Sequence, residues 1–102
     1  MKMTIEAFCS QEEDEYVINA RTEEEVVWIL RKFDELGLRW NSGASYLDEA
    51  NWDRYMEQTV YYPRGRYASV DYAEQCGLTV LTLDDILRPE DAALIEWDLL
   101  FK

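Results

Sequence analysis

The sequence predicts an α+β fold: a small antiparallel sheet packed by one main helix over about residues 22–36 and a second helix over about 90–100. Three observations carry that expectation. Val26, Ile29, Leu30, Phe33 and Leu36 form an apolar stripe at helical spacing. Residues 78–83, LTVLTL, alternate as a half-buried strand does. Tyrosine-rich and β-branched runs flank Pro63-Arg64-Gly65-Arg66, the pattern of a hairpin around a tight turn. A length of 102 residues suits a single domain, 1–102.

Taken in order, residues 3–9 read as a strand, with Ile5, Ala7 and Cys9 on one face and Phe8 on the other. Residues 11–15 are an acidic turn, and YVINA at 16–20 is a second short strand. Thr22 then stands as a helix N-cap, with Glu25 three residues on to complete a capping box. Glu23, Glu24 and Glu25 fill the first turn, where carboxylates favour the positive end of the helix dipole. Gly37 is a natural stop just past the last turn. Asn41-Ser42-Gly43 signals a turn. Residues 46–57 fit two descriptions, a short helix through Leu47, Asn51 and Tyr55 or an irregular loop. Residues 59–62 and 67–72 pair as the hairpin, and 73–77 form a short turn. Thr82 or Asp84 caps a short helix running through Leu87, and Pro89 suits the first turn of the last one.

Charge narrows the function classes. Twenty-two acidic residues stand against ten basic ones, a net charge of −12, and histidine is absent. Nucleic acid and anionic lipid both demand clustered cations, so neither is an expected partner. Residues 1–25 carry eight acidic and two basic side chains and 84–102 carry six and two, whereas 26–83 carry eight and six. The chain therefore reads as a nearly neutral body with two acidic ends. A globule of this length is about 33 Å across, a span over which duplex DNA carries roughly 19 phosphate charges. The acidic excess is a sizeable fraction of that.

Chemistry-bearing patterns are few. Cys9 and Cys76 sit in no CxxC pair and read as reduced thiols. Neither they nor any serine has a histidine to activate it, so no catalytic residue is assigned and no enzymatic activity is expected. Asp48, Glu49, Asn51 and Asp53 offer oxygen ligands without the central glycine or twelfth-position glutamate of a calcium loop, and read as a solvated segment. No metal or other cofactor is expected. No stretch approaches a membrane span or the apolar core of a signal peptide, which points to the cytoplasm.

From Thr22 to Leu87 the succession of signals resembles a group of small, mostly uncharacterised phage and prophage proteins. The likeness rests on the capped helix, the Gly-x-x-Trp-x-Ser-Gly segment from Gly37 to Gly43, the tyrosine-rich hairpin, and the terminal strand running into Asp84-Asp85-Ile86-Leu87. The resemblance implies a phage origin, an infected bacterial host and an α+β domain, and carries no catalytic residues with it. A small acidic protein of this kind is also similar in type to anti-CRISPR and other anti-defence inhibitors.

Together these readings predict a non-enzymatic inhibitor. Its acidic surface would imitate the phosphates of DNA and occupy the basic nucleic-acid groove of a protein partner, with a CRISPR effector nuclease as the target class. The predicted partner-binding residues are Glu12, Glu13, Asp14, Glu15, Glu23, Glu24, Asp48, Glu49, Trp52 and Asp53, the acidic runs supplying charge and the exposed aromatics anchorage. Because 12–15 and 23–25 flank one short strand, they are expected to share a surface. One alternative is a sponge for a nucleotide second messenger, held by Tyr62, Arg64, Arg66 and Tyr67 around the basic turn. Another is a phage structural or regulatory subunit.

Overall fold

The computed structural model describes residues 3–87 and has an α+β fold. The first segment departs from its predicted strand. Only Met3–Thr4 is extended (β1), and Ile5–Cys9 is a short helix (α1). Thr4 explains the change: its Oγ1 accepts the Ala7 N–H at 3.1 Å and caps the turn. Ile5 and Phe8 are then the buried positions, a spacing of three rather than two.

After the turn at 11–15 come β2, Tyr16–Ala20, and α2, Glu23–Glu35. The Thr22 hydroxyl accepts the Glu25 N–H at 3.2 Å, as the cap predicts. The Glu25 carboxylate reaches back one residue further than a standard capping box, to the Arg21 N–H at 2.9 Å and its guanidinium at 2.8 Å. Val26, Ile29, Leu30 and Phe33 are buried, each full burial contributing roughly 1.5–3 kcal/mol. Leu36 is the C-cap and is exposed, so the stripe ends one position earlier than its spacing suggests. Gly37 donates to the Asp34 carbonyl and Leu38 to the Phe33 carbonyl, a Schellman closure.

Of the two readings of residues 46–57, the irregular loop is the one observed, ending in a 3₁₀ turn at Met56–Gln58. Asn51 and Met56 have positive φ, and Leu47 is exposed, so no apolar helix face forms. Two aromatic side chains hold the loop by its carbonyls, Trp40 Nε1 donating to Glu49 O at 2.8 Å and Tyr61 Oη to Ala50 O at 2.7 Å, and the loop's own Trp52 Nε1 donates to Ala20 O of β2 at 3.0 Å. Trp40 and Tyr61 thereby take up carbonyls that a helix would have satisfied internally.

Thr59–Tyr61 (β3) and Tyr67–Ser69 (β4) form the hairpin. The predicted second arm is too long, because Val70–Gln75 is a helix (α3). The Ser69 hydroxyl caps it by accepting the Tyr72 N–H at 3.2 Å. This helix also overturns the purely antiparallel sheet. It carries the chain from β4 across to β5, Thr79–Leu81, which lies parallel to β2 in a mixed sheet of order β4-β3-β2-β5. A helical crossover joins parallel strands where a tight turn cannot. Thr82 then leads into a 3₁₀ turn, Leu83–Asp85, rather than a helix through Leu87. Ile86–Leu87 (β6) instead pairs in parallel with β1. The predicted helix over about 90–100 lies outside the described residues.

The sheet has a core on each face. Ile18, Ala20, Tyr61 and Leu81 face α1, α2 and the aromatic pair Trp40 and Tyr46. Val17, Val60 and Tyr62 face Ala73 of α3. Every buried side-chain polar atom among the described residues has a partner. No helix among them is long and apolar enough to cross a membrane.

Candidate functional site

The hairpin turn is fixed by several specific backbone contacts. Tyr62 N–H bonds the Arg66 carbonyl at 3.0 Å, and Gly65 sits between them at φ 74°. Gly65 is pressed against the segment that follows α2. It donates to Tyr46 Oη at 2.9 Å, and its carbonyl accepts the Asn41 N–H at 3.1 Å. A β-carbon at this position would stand 2.7 Å from the Asn41 nitrogen and 2.8 Å from the Arg39 carbonyl. Glycine is required both for its backbone angle and for this close approach.

The two arginines of the turn are engaged with the 11–14 segment. Arg64 donates to the Gln11 carbonyl, to the Glu12 carbonyl at 3.1 Å and to Asp14 Oδ1 at 3.4 Å. Arg66 lies 3.6 Å from Asp14 Oδ2, with its guanidinium 4.6 Å above the Tyr62 ring. Of the first acidic run, Asp14 is half-buried between the arginines, while Glu12, Glu13 and Glu15 are exposed.

The second acidic run stands at the other end of β2, about 17 Å away for a five-residue strand. Glu23 and Glu24 are exposed in the first turn of α2. Arg21 joins that turn to the 83–85 turn, 2.8 Å from Glu25 and 3.5 Å from Asp84, whose side chain is 82% exposed. Trp52 reaches the same end through its bond to Ala20 O and is half-buried, with Asp53 exposed beside it. Asp48 and Glu49 are exposed on the preceding stretch of that loop. Of the predicted partner-binding residues, Glu12–Glu15 lie at one end of β2, where Asp14 and the Glu12 carbonyl meet the arginines. Glu23 and Glu24 lie at the other end, where Trp52, next to Asp53, bonds to Ala20, and Asp48 and Glu49 belong to neither group.

Of the predicted ligand-binding four, Tyr62 is buried beneath Arg66, Arg64 is bound to the 11–14 turn, and Tyr67 is half-buried against Trp40 and Tyr55. Arg66 and Tyr67 border a groove of about 750 Å³ together with Trp40, Tyr55 and Tyr72. Trp40, Tyr55 and Tyr72 are not among the predicted site residues. The tyrosine-rich middle of the chain was the available signal, but their convergence depends on the irregular loop and on α3.

Burial raises the phenol pKa of Tyr61, with Asp53 adding to it, and likewise those of Tyr46 and Tyr62, which their bonds to Gly65 and Arg66 oppose. The Cys9 thiol is pushed up to about 12 by burial, with Glu6 reinforcing the shift. These groups are protonated at neutral pH. Among the described residues no cluster of carboxylates and thiols could hold a metal ion. The arrangement is suited to recognition through charge and aromatic surface. The chain matches no family model, and neither curated proteins nor solved structures show a significant similarity to it.

Proposed function

We propose that this chain is an acidic inhibitor that occupies the basic nucleic-acid groove of a bacterial defence nuclease, a CRISPR effector being the target class. The observation that carries this reading is the charge at the α2 end of the sheet. There Glu23, Glu24 and Asp84 are exposed around the Arg21 bridge, on a molecule of net charge −12. Retaining such an excess destabilises a fold by self-repulsion, and a cationic partner relieves it. In this reading the Glu12–Glu15 run takes a smaller share, since Arg64 and Arg66 already pair with Asp14. The nucleotide-sponge alternative is less well supported, because Tyr62 and Arg64 are occupied within the fold.

The test is target-DNA cleavage by a purified effector nuclease with and without the chain, over a salt series. Inhibition is expected to weaken as salt rises. Replacing Glu23, Glu24 and Asp84 with Gln, Gln and Asn should weaken it further. At about 0.2–1 kcal/mol per exposed carboxylate, the triple variant loses about 0.6–3 kcal/mol, roughly 3- to 150-fold in affinity. The same change at Glu12, Glu13 and Glu15 should cost less. Salt-independent inhibition, or full inhibition by the first variant, would refute charge mimicry.

A further inference from the structure

Among the described residues β4 is an edge strand, with no strand on its outer side, and the ladder determines which groups face outward. The bond from Tyr62 N–H to Arg66 O makes 62 and 66 a hydrogen-bonded pair, so Val60 and Ala68 are the next such pair. Tyr67 and Ser69 therefore turn their N–H groups, and Tyr67 its carbonyl, away from β3. The Ser69 carbonyl serves α3 as its N-cap. No hydrogen bond among the described residues takes up those outward groups. The aromatic groove follows this same edge. Trp40, Tyr55 and Tyr67 border it from the α2 side, and Tyr62, Ala68 and Tyr72 from the α3 side. An extended segment lying along β4 would place alternate side chains against the two sets.

Charge decides the occupant. Arg66, at the turn end of the groove, is held by Tyr62 and Asp14. Glu49 lines the groove, is exposed, and has no cationic partner among the described residues. Tyrosine faces beside a carboxylate suit a guanidinium or ammonium group. We infer that β4 takes an extended, basic segment of a protein partner as a fifth strand, with that segment's cationic side chains over Tyr67 and Tyr72 beside Glu49, the Tyr55 ring being already covered by Arg54 at 5.6 Å. This rests on the reading that the partner is basic, and adds how part of it is gripped.

The experiment is an amide-resolved NMR titration of the full chain with an acetylated, amidated hexapeptide of alternating arginine and valine. Controls are the same peptide N-methylated at alternate backbone amides and a glutamate–valine counterpart. Saturable shifts at the Tyr67 and Ser69 amides are expected. Affinity should fall at least tenfold on N-methylation and severalfold in the Glu49→Gln and Tyr72→Ala variants, both at exposed positions. Shifts confined to residues 21–25 would overturn strand addition while leaving the charge reading intact. So would N-methylation without effect, or no shift at millimolar peptide. Shifts at Tyr67 and Ser69 that grow with protein concentration alone would assign the edge to a second copy of this chain and overturn the proposal. The nuclease assay above fails or succeeds independently, because it reads the α2 end.

Discussion

Replacing Gly65 with alanine should destabilise this protein more than a substitution in a hairpin turn ordinarily does, because Gly65 is buried. Two penalties combine. At φ 74° a β-carbon is disfavoured by about 1–2 kcal/mol whatever surrounds it. Here the added carbon also meets backbone atoms at 2.7 and 2.8 Å, which cannot swing aside as the end of a side chain can. Relief requires the turn to move off the Arg39–Asn41 segment. That movement breaks the bonds to Tyr46 Oη and from the Asn41 N–H, each contributing about 1 kcal/mol, more where a buried donor is stranded. The total is about 3–5 kcal/mol. Gly37 provides the control, with φ 80° and no atom within 4 Å of its would-be β-carbon, so Gly37→Ala carries the backbone penalty alone. For a domain near this length, 1 kcal/mol moves the melting temperature by about 4–8 °C. Circular-dichroism melts should therefore show a loss of about 12 °C or more for Gly65→Ala and about 4–16 °C for Gly37→Ala. Equal losses would refute the argument that close approach, rather than backbone angle, governs position 65.

Two further expectations follow from the same contacts. Thr22→Ala removes the acceptor of the Glu25 N–H and should destabilise the fold by about 1 kcal/mol in urea unfolding, without moving the helix elsewhere. Stability should also fall with rising pH. Cys9, held up at about 12, stabilises the fold fully below its unfolded pKa near 8.5 and progressively less as pH climbs toward 12, with Tyr46 and Tyr61 adding to the loss above about pH 10. Urea midpoints measured from pH 7 to 10.5 check this, and Cys9→Ala should flatten the first part of the decline. A thiol reagent at pH 8 should modify exposed Cys76 quickly and Cys9 only on unfolding.

The helix α2 was legible because every local signal agreed: cap, first-turn acids, stripe and terminal glycine. The shorter helices were obscured by competing signals. Ile5, Ala7 and Cys9 alternate as a strand does, yet a threonine before Ile5 and a glutamate at position 6 supply a helix start that five residues suffice to use. Tyr67–Tyr72 is rich in strand-forming residues, and the Ser69-Val70-Asp71 start of α3 lies inside that run. Missing α3 had a second effect, since without a crossover the parallel pairing of β2 with β5 had no route. The acidic runs on either side of β2 were identifiable at once, but the pairing of the first of them with arginines was not. It depends on Arg64 reaching back to the 11–14 turn, a contact between residues far apart in the chain. The groove at β4 was the least legible feature, because Trp40, Tyr55 and Tyr72 come from three separate segments.

The central position of β2 has a consequence for synthesis. One neighbour of this strand, β3, begins at Thr59, and the other, β5, begins only at Thr79, opposite Tyr16. A growing chain therefore emerges from the ribosome with Val17, Ile18 and the apolar face of α2 lacking their cover until most of the domain has been made. Long-range parallel pairing of this sort folds slowly and leaves apolar surface exposed meanwhile. The dense acid at 12–15 and 23–25 brackets that strand on both sides. It would keep nascent copies apart during the interval, a service to the unfinished chain that is independent of whatever the finished protein binds.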